Sequence, residues 1–378
     1  MKRKSSLCFC VLFAALLVLT GCGGALTQAE KGGAACKLTQ EERTDAILAR
    51  MTPAEKIGQL LMIGVHGTEM DADSRFMLSE YAVGGVILFD RNLETADGVR
   101  RFTKALQEAR HGEPPLLIAI DEEGGMVVRM ADILPPPPAQ SELGESGDPV
   151  LARKWAKETA RQLRAFGFNL NFAPVADVGG DSRCYSDDAE TVAAFVCEAV
   201  DGYAEENMLC TLKHFPGLGK GEADTHLDTV IVQADRETLE AEDIVPFRAM
   251  MDTGKPERFF IMTSHITYTA VDNDRPASLS PVVMTSLLRE ELGWQGVIVT
   301  DDFEMGAAKI FPFEELGVRA IEAGADLVLV CHEYEHQQAV YNGLLKALQS
   351  GRLSEKRVDE SVRRILRAKL LLEDNAAK

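Results

Sequence analysis

Eight short apolar runs, separated by longer stretches of helical pattern, limit what this chain can fold into more than any other feature. They span residues 57–65, 83–89, 116–120, 170–175, 209–215, 259–265, 297–300 and 327–331. Each is rich in Val, Ile, Leu and Phe without strict alternation, as strands buried on both faces of a parallel sheet are. Helices are expected between them at 97–109, 151–166, 189–206, 237–252, 280–292 and 313–323, with a last one at 357–372. In 151–166 the residues Leu151, Trp155, Thr159, Leu163 and Phe166 share one face, and Gly167 stops the helix. The prolines at 135–138 make a rigid loop inside the third unit. Eight strand–helix units in about 320 residues predict an α/β fold, a (β/α)₈ TIM barrel forming a single catalytic domain. A doubly wound open sheet is the competing architecture, but it carries a Gly-rich phosphate turn, and no such turn occurs here.

The N-terminus is different in kind. Lys2, Arg3 and Lys4 precede an apolar stretch from Leu7 to Leu19, followed by Thr20, Gly21 and Cys22. A basic start, a short apolar segment and small residues at its end read as an export signal, too short to span a bilayer comfortably. The ending resembles the bacterial lipobox, in which the cysteine becomes the lipidated first residue of the mature chain. The expected organisation is a lipoprotein signal peptide at 1–21, a flexible Gly/Ala-rich tether at 22–37 and the catalytic domain at 38–378. Lipidation at Cys22 would anchor the protein to a bacterial membrane in the cell envelope. Losing 1–21 with its three basic residues would take the net charge from −19 to −22. So acidic a chain lacks the clustered Lys and Arg of a nucleic-acid surface, and no nucleic-acid partner is expected. Among the cysteines, Cys210 and Cys331 read as buried strand residues, while disulfides at Cys36, Cys184 and Cys197 stay open.

Polar residues follow the apolar runs where barrel enzymes build active sites, at the C-terminal strand ends. The third run leads into Asp121-Glu122-Glu123-Gly124-Gly125 and then Arg129, and the fourth reads Asn171-Phe172-Ala173-Pro174-Val175-Ala176-Asp177. The fifth ends in Lys213-His214-Phe215-Pro216-Gly217-Leu218-Gly219, with Asp224-Thr225-His226 in the loop beyond. The sixth ends in Thr263-Ser264-His265 and the seventh in Thr300-Asp301-Asp302-Phe303-Glu304-Met305.

Together these motifs resemble glycoside hydrolase family 3 in its β-N-acetylhexosaminidase branch, over residues 51–372. The resemblance implies a retaining exo-β-N-acetylglucosaminidase acting on an amino-sugar oligosaccharide, from cell-wall or chitin fragments, with no cofactor and no metal. It implies Asp301 as nucleophile, His226 as acid/base and Asp224 as the group that orients it. It further implies sugar-binding roles for Asp121, Arg129, Arg183, Lys213 and His214. Met126 stands where many relatives have Arg, and Cys184 and Tyr185 follow Arg183 where relatives usually have Ser and Phe.

Elementary chemistry points the same way. A retaining glycosidase needs a carboxylate beneath the anomeric carbon and a proton donor beside the leaving oxygen. Histidine titrates near neutrality, and an aspartate two residues away is placed to fix its tautomer. The glycines at 217, 219 and 221 would let that loop swing over a bound sugar. Alternation along a strand predicts that Asp302 faces away from Asp301. His265 reads as a supporting group or a satisfied barrel histidine. Glu122 is the first alternative acid/base. His332-Glu333-Tyr334-Glu335-His336 fits the HExxH zinc-protease pattern letter for letter, but it follows the eighth run directly, as a loop or a first helical turn. Three alternatives remain open: a β-glucosidase or β-xylosidase of the same family, an N-acetylglucosaminide phosphorylase, and a non-catalytic sugar-binding lipoprotein.

Overall fold

The computed structural model describes residues 38–110, 114–218, 231–232, 234–305 and 311–376. Eight parallel strands close into a barrel: β1 (Leu61–Gly64), β2 (Gly85–Ile87), β3 (Leu117–Ile120), β4 (Leu170–Asn171), β5 (Leu209–Phe215), β6 (Phe259–Thr263), β7 (Ile298–Asp302) and β8 (Leu327–Val330). Their order around the barrel is their order in the chain, and β1 pairs with both β2 and β8. The expected (β/α)₈ barrel is the fold. Every residue of the eight strands is buried except Asp301, which is why the runs show no alternation. Gly85 marks how tightly the strands meet, since a Cβ there would lie 2.4 Å from Met62 Cε and 3.0 Å from Leu117 Cβ. Cys210 and Cys331 are buried strand or strand-end residues, and Cys184 and Cys197 are free thiols.

The first apolar run divides into two elements. Its start belongs to the helix Pro53–Gln59, and only Leu61–Gly64 is strand. Thr52 and Glu55 form a reciprocal capping box there, with Pro53 in the first turn, so local capping outweighs the apolar composition. A second capping box, Thr39 with Glu42, starts the helix Gln40–Leu48, which no apolar run announces.

The helix expected at 151–166 spans Val150–Arg164, with its buried face turned from the expected one. Ala152, Ala156, Thr159, Ala160 and Leu163 are buried, whereas Leu151 and Trp155 are half-buried. The small residues face inward because the helix Ala189–Glu205 approaches closely, a Cβ on its Gly202 falling 3.0 Å from Ala156 Cβ. Two expected α-helices carry wider turns. Residues Val282–Glu291 and Leu239–Asp243 wind as π-helix, with Leu292 N donating to Leu287 O and Ile244 N to Leu239 O, both at 2.9 Å. Pro246, which has no N–H to donate, opens the α-helical segment Val245–Met251 that follows. The last helix, Glu355–Ala376, runs beyond the expected 357–372 and packs on the helices Gln40–Leu48 and Pro53–Gln59.

At the N-terminal end of the strands, Asp326 is fully buried just before β8. Its carboxylate accepts from Ile298 N at 3.0 Å, Ser361 Oγ at 2.6 Å, Arg364 at 3.0 Å and Arg289. Arg357 lies 3.7 Å away. Burial would raise this carboxyl, but the three guanidiniums outweigh it and hold it below the usual carboxylate range.

Candidate active site

A cavity of about 650 Å³ opens at the C-terminal ends of the strands. Of the residues singled out from the sequence, Asp121, Arg129, Arg183, Lys213, His214 and Asp301 all line it. Three others lie outside the described residues: Asp224 and His226, and the lipidation candidate Cys22.

One wall is a network of buried charge. Lys213, near the end of β5, donates from Nζ to Asp121 Oδ1 at 2.9 Å and to Glu123 Oε1 at 2.5 Å. Arg183 grips Glu123 with two parallel bonds of 2.9 Å, a fork that carboxylate geometry favours. Burial raises the Glu123 carboxyl, yet the two cations overcome this and hold it at about 2. Burial lowers the Lys213 ammonium, but Asp121 and Glu123 raise it further, so it stays charged. Arg129 completes the rim, 3.9 Å from Asp121 and 3.4 Å from Asp90. Arg183 reaches in from the loop before the helix Ala189–Glu205, and its partner is a carboxylate buried in the cavity wall.

The hairpin after β3 brings these groups inward. Residues Glu122–Gly124 pair with Val127–Val128, and Gly124 and Gly125 take φ of 101° and 60°. A Cβ on Gly124 would meet Pro138 O at 2.1 Å, so both backbone angle and space require glycine. Glu122 turns the other way. Its carboxylate accepts from Arg129 N at 2.9 Å and Met130 N at 3.1 Å, and burial pushes it up to about 7. Met126, at the hairpin tip, is 76% exposed.

His214 is oriented by a residue the sequence reading quoted but did not single out. Asp177 accepts from His214 Nδ1 at 2.7 Å, from His214 N at 2.9 Å and from Leu218 N at 2.8 Å. This fixes the ring, and among the described residues its Nε2 has no hydrogen-bond partner. Glu123 was missed for a similar reason: Asp121, Glu122 and Glu123 are adjacent, and only the hairpin decides which faces the cavity.

Asp301 sits on β7 beside His214, His265 and Lys213. Burial alone would raise its carboxyl, but His214, His265, the Asp302 N–H at 2.9 Å and Lys213 together hold it below its ordinary value. His265 does not line the cavity. It is buried, contacts Ser278 Oγ at 2.7 Å and donates from Nε2 to Asp302 O at 2.9 Å. The register of β7 against β8 shifts between Val299 and Asp302, so simple alternation is broken there. Asp302 consequently lines the cavity as well, but its carboxylate is spent on Glu304 N and Cys331 N, each at 3.1 Å, and on His332 Nε2 at 3.3 Å. Asp301 keeps the freer carboxylate.

The HExxH segment is no zinc helix. His332 lies in the loop after β8, and His336 in the first turn of the helix Tyr334–Gln349. His332 faces Asp302, whereas His336 Nδ1 binds Glu304 Oε1 at 2.6 Å, so the two imidazoles are committed to different carboxylates.

The chain as a whole has known relatives. The family model described as "Glycosyl hydrolase family 3 N terminal domain" matches residues 52–368. A β-hexosaminidase of Stenotrophomonas maltophilia is 38% identical over 285 residues, covering 72% of this chain and 83% of its own. The solved family 3 β-N-acetylglucosaminidase of a Paenibacillus strain superposes with a TM-score of 0.81 at 40% identity, over 86% of this chain; the chain spans 63% of that longer protein. A β-N-acetylhexosaminidase structure from Beutenbergia cavernae gives a TM-score of 0.78 at 29% identity, over 85% of this chain and 99% of its own. By the span of the family model and the identity to these relatives, the chain belongs to glycosyl hydrolase family 3.

Proposed function

We propose that this family 3 glycoside hydrolase is a β-N-acetylhexosaminidase that removes terminal β-linked N-acetylglucosamine from the non-reducing end of short amino-sugar chains. The observation that carries the reading is Asp301, the one residue of the eight strands that is not buried, a cavity-lining carboxylate held below its ordinary value. The solved relatives described as a β-N-acetylglucosaminidase and a β-N-acetylhexosaminidase support the amino sugar.

In this mechanism Asp301 attacks the anomeric carbon, and the leaving oxygen takes a proton as the glycosyl-enzyme forms. Water then releases the sugar with retained configuration. His226 supplies and recovers the proton, with Asp224 setting its tautomer. The Lys213, Asp121, Arg183 and Glu123 wall offers both donors and acceptors to sugar hydroxyls, and its internal pairing keeps those groups aligned before substrate arrives. Cys22 is the proposed lipid attachment site and the cell envelope the proposed location.

The deciding experiment is hydrolysis of aryl β-glycosides that differ only at C2. Turnover of the 2-acetamido-glucoside but not of the glucoside or xyloside is expected, and the reverse preference would place the chain with the glucosidases. Products formed in phosphate and in phosphate-free buffer should be identical; a sugar 1-phosphate would make it a phosphorylase. The lipid anchor is tested by Cys22→Ala, which should move the protein from membranes to the soluble fraction; an unchanged membrane fraction rejects it.

A further inference from the structure

The hydrolysis just described leaves one buried carboxylate without a task. Glu122 is buried beside the cavity wall but, unlike its neighbours Asp121 and Glu123, does not line the cavity. Its backbone is fixed to the barrel. Asn171, at the end of β4, accepts from Glu122 N and donates to Glu122 O, both at 2.9 Å, and the same amide nitrogen also donates to the Tyr203 hydroxyl at 2.9 Å.

From that fixed point the side chain reaches across the hairpin. The pairing of Glu122–Gly124 with Val127–Val128 ends where Glu122 faces Val128. The next two N–H groups, of Arg129 and Met130, lie beyond the ladder, and both donate to one oxygen, Glu122 Oε2, at 2.9 and 3.1 Å. A buried N–H needs an acceptor, and here a side chain supplies it in place of a strand. Met130 is fully buried, so the same carboxylate also holds the chain on its core side.

Arg129 depends on that hold. Its guanidinium has only loose contacts: Asp90 at 3.4 Å, Asp121 at 3.9 Å and the Phe89 ring centroid at 5.7 Å. Arg183, by contrast, is locked by two bonds of 2.9 Å. The direction in which Arg129 enters the cavity is therefore set from its own backbone, and Glu122 sets that backbone.

The hold also varies with charge. Burial disfavours the ionised form of Glu122 and Asp90 adds to this, while the two N–H groups and Arg129 oppose them; burial wins and pushes the carboxyl up to about 7. Asp121 and Glu123 flank it but pair with Lys213, and the nearby Tyr203 stays neutral. Once ionised, Glu122 makes the stronger bonds to both N–H groups.

We propose that Glu122 is a positioning residue: its side chain, tied to β4 through Asn171, holds the backbone of Arg129 so that the guanidinium stands ready in the cavity. It touches no reacting atom and is not the acid/base. This rests on the reading of the cavity as a glycosidase site in which Arg129 binds the sugar.

The test uses the full-length protein with para-nitrophenyl N-acetylglucosaminide and an N-acetylglucosamine disaccharide, and thermal unfolding is recorded for every variant. Glu122→Ala should raise KM roughly tenfold, the effect of losing a hydrogen bond to a charged group. It should leave kcat within about threefold and act alike on both substrates, whatever their leaving groups. Glu122→Gln keeps a neutral acceptor. Its KM should match wild type at about pH 5.5 and exceed it at about pH 8.5, because only the wild-type side chain gains charge as pH rises through about 7. In an Arg129→Ala background, Glu122→Ala should raise KM no further. A folded Ala variant with unchanged KM, or a KM effect that survives Arg129→Ala, overturns the proposal. A loss confined to the disaccharide overturns it too, making Glu122 the acid/base. If the Ala variant does not fold, the Gln comparison decides, and a KM ratio to wild type that stays constant with pH rejects the proposal. Wild type inactive on both substrates rejects the functional reading, and this inference with it.

Discussion

At the floor of the barrel, Asp326 is surrounded by Arg289, Arg357 and Arg364, a serine hydroxyl and a backbone N–H. At the mouth, Glu123 is held by Lys213 and Arg183, with Asp121 beside them. Both clusters bury carboxylates among cations, and both hold a carboxyl below its usual range. They differ in what is left over. The floor is closed: Asp326 has no exposure, and its partners tie β7, β8 and the last helix together. The mouth is open, and its members all border the cavity. Burial of charge is thus no mark of function by itself; a free face toward a cavity is.

That contrast is broken most sharply by two substitutions. Asp301→Asn at the mouth should lower kcat/KM on the order of 10⁴-fold or more, since the nucleophile is lost, while the unfolding temperature holds. Asp326→Ala at the floor should do the reverse, costing about 3–5 kcal/mol by leaving three cations around an empty place. Its specific activity per folded molecule should stay within about twofold, because the change lies outside the cavity. Denaturant unfolding and active-site titration separate the two outcomes; an Asp326 variant that is stable but inactive would erase the distinction.

The acid side of the stability curve sharpens it. The folded-state carboxyl of Asp326 lies below its unfolded value, so its contribution is full above the unfolded pKa of about 4 and fades as pH falls through the lower folded value. The gap between wild type and Asp326→Ala should therefore narrow below about pH 4. A constant gap down to pH 2 or so would mean that packing rather than charge holds the floor.

An intermediate effect belongs to the mouth. Glu123→Gln should free Lys213 and Arg183 from their shared anchor, raising KM and lowering kcat/KM by roughly ten- to hundredfold. A change confined to stability would reassign Glu123 to the scaffold. The smallest effect concerns the HExxH segment. Prolonged chelation should leave activity unaltered, because His332 and His336 face different carboxylates. Activity lost on chelation and restored by zinc would reject that geometry.

Much of this was legible in the chain. Strands buried on both faces announce themselves as apolar runs, and the polar residues at their ends converge because a barrel brings all eight ends to one rim. What escaped depended on geometry within a few residues. Leu151 and Trp155 satisfy the helical period, yet the close approach of Gly202 turns the alanines inward instead. Ile57 belongs to an apolar run, yet Thr52 and Glu55 cap it into a helix. Glu123 is separated from Glu122 only by the direction of a hairpin.

The pairing of β1 with β8 also has a consequence in time. β1 is among the first elements made, but one of its edges stays without a partner until Leu327–Val330 has left the ribosome. Until then the chain carries two unpaired edges, on β1 and on the most recently made strand, each a template for pairing with another chain. The closure that leaves the finished barrel without an open edge gives the nascent one its longest interval of vulnerability to pairing with other unfinished copies.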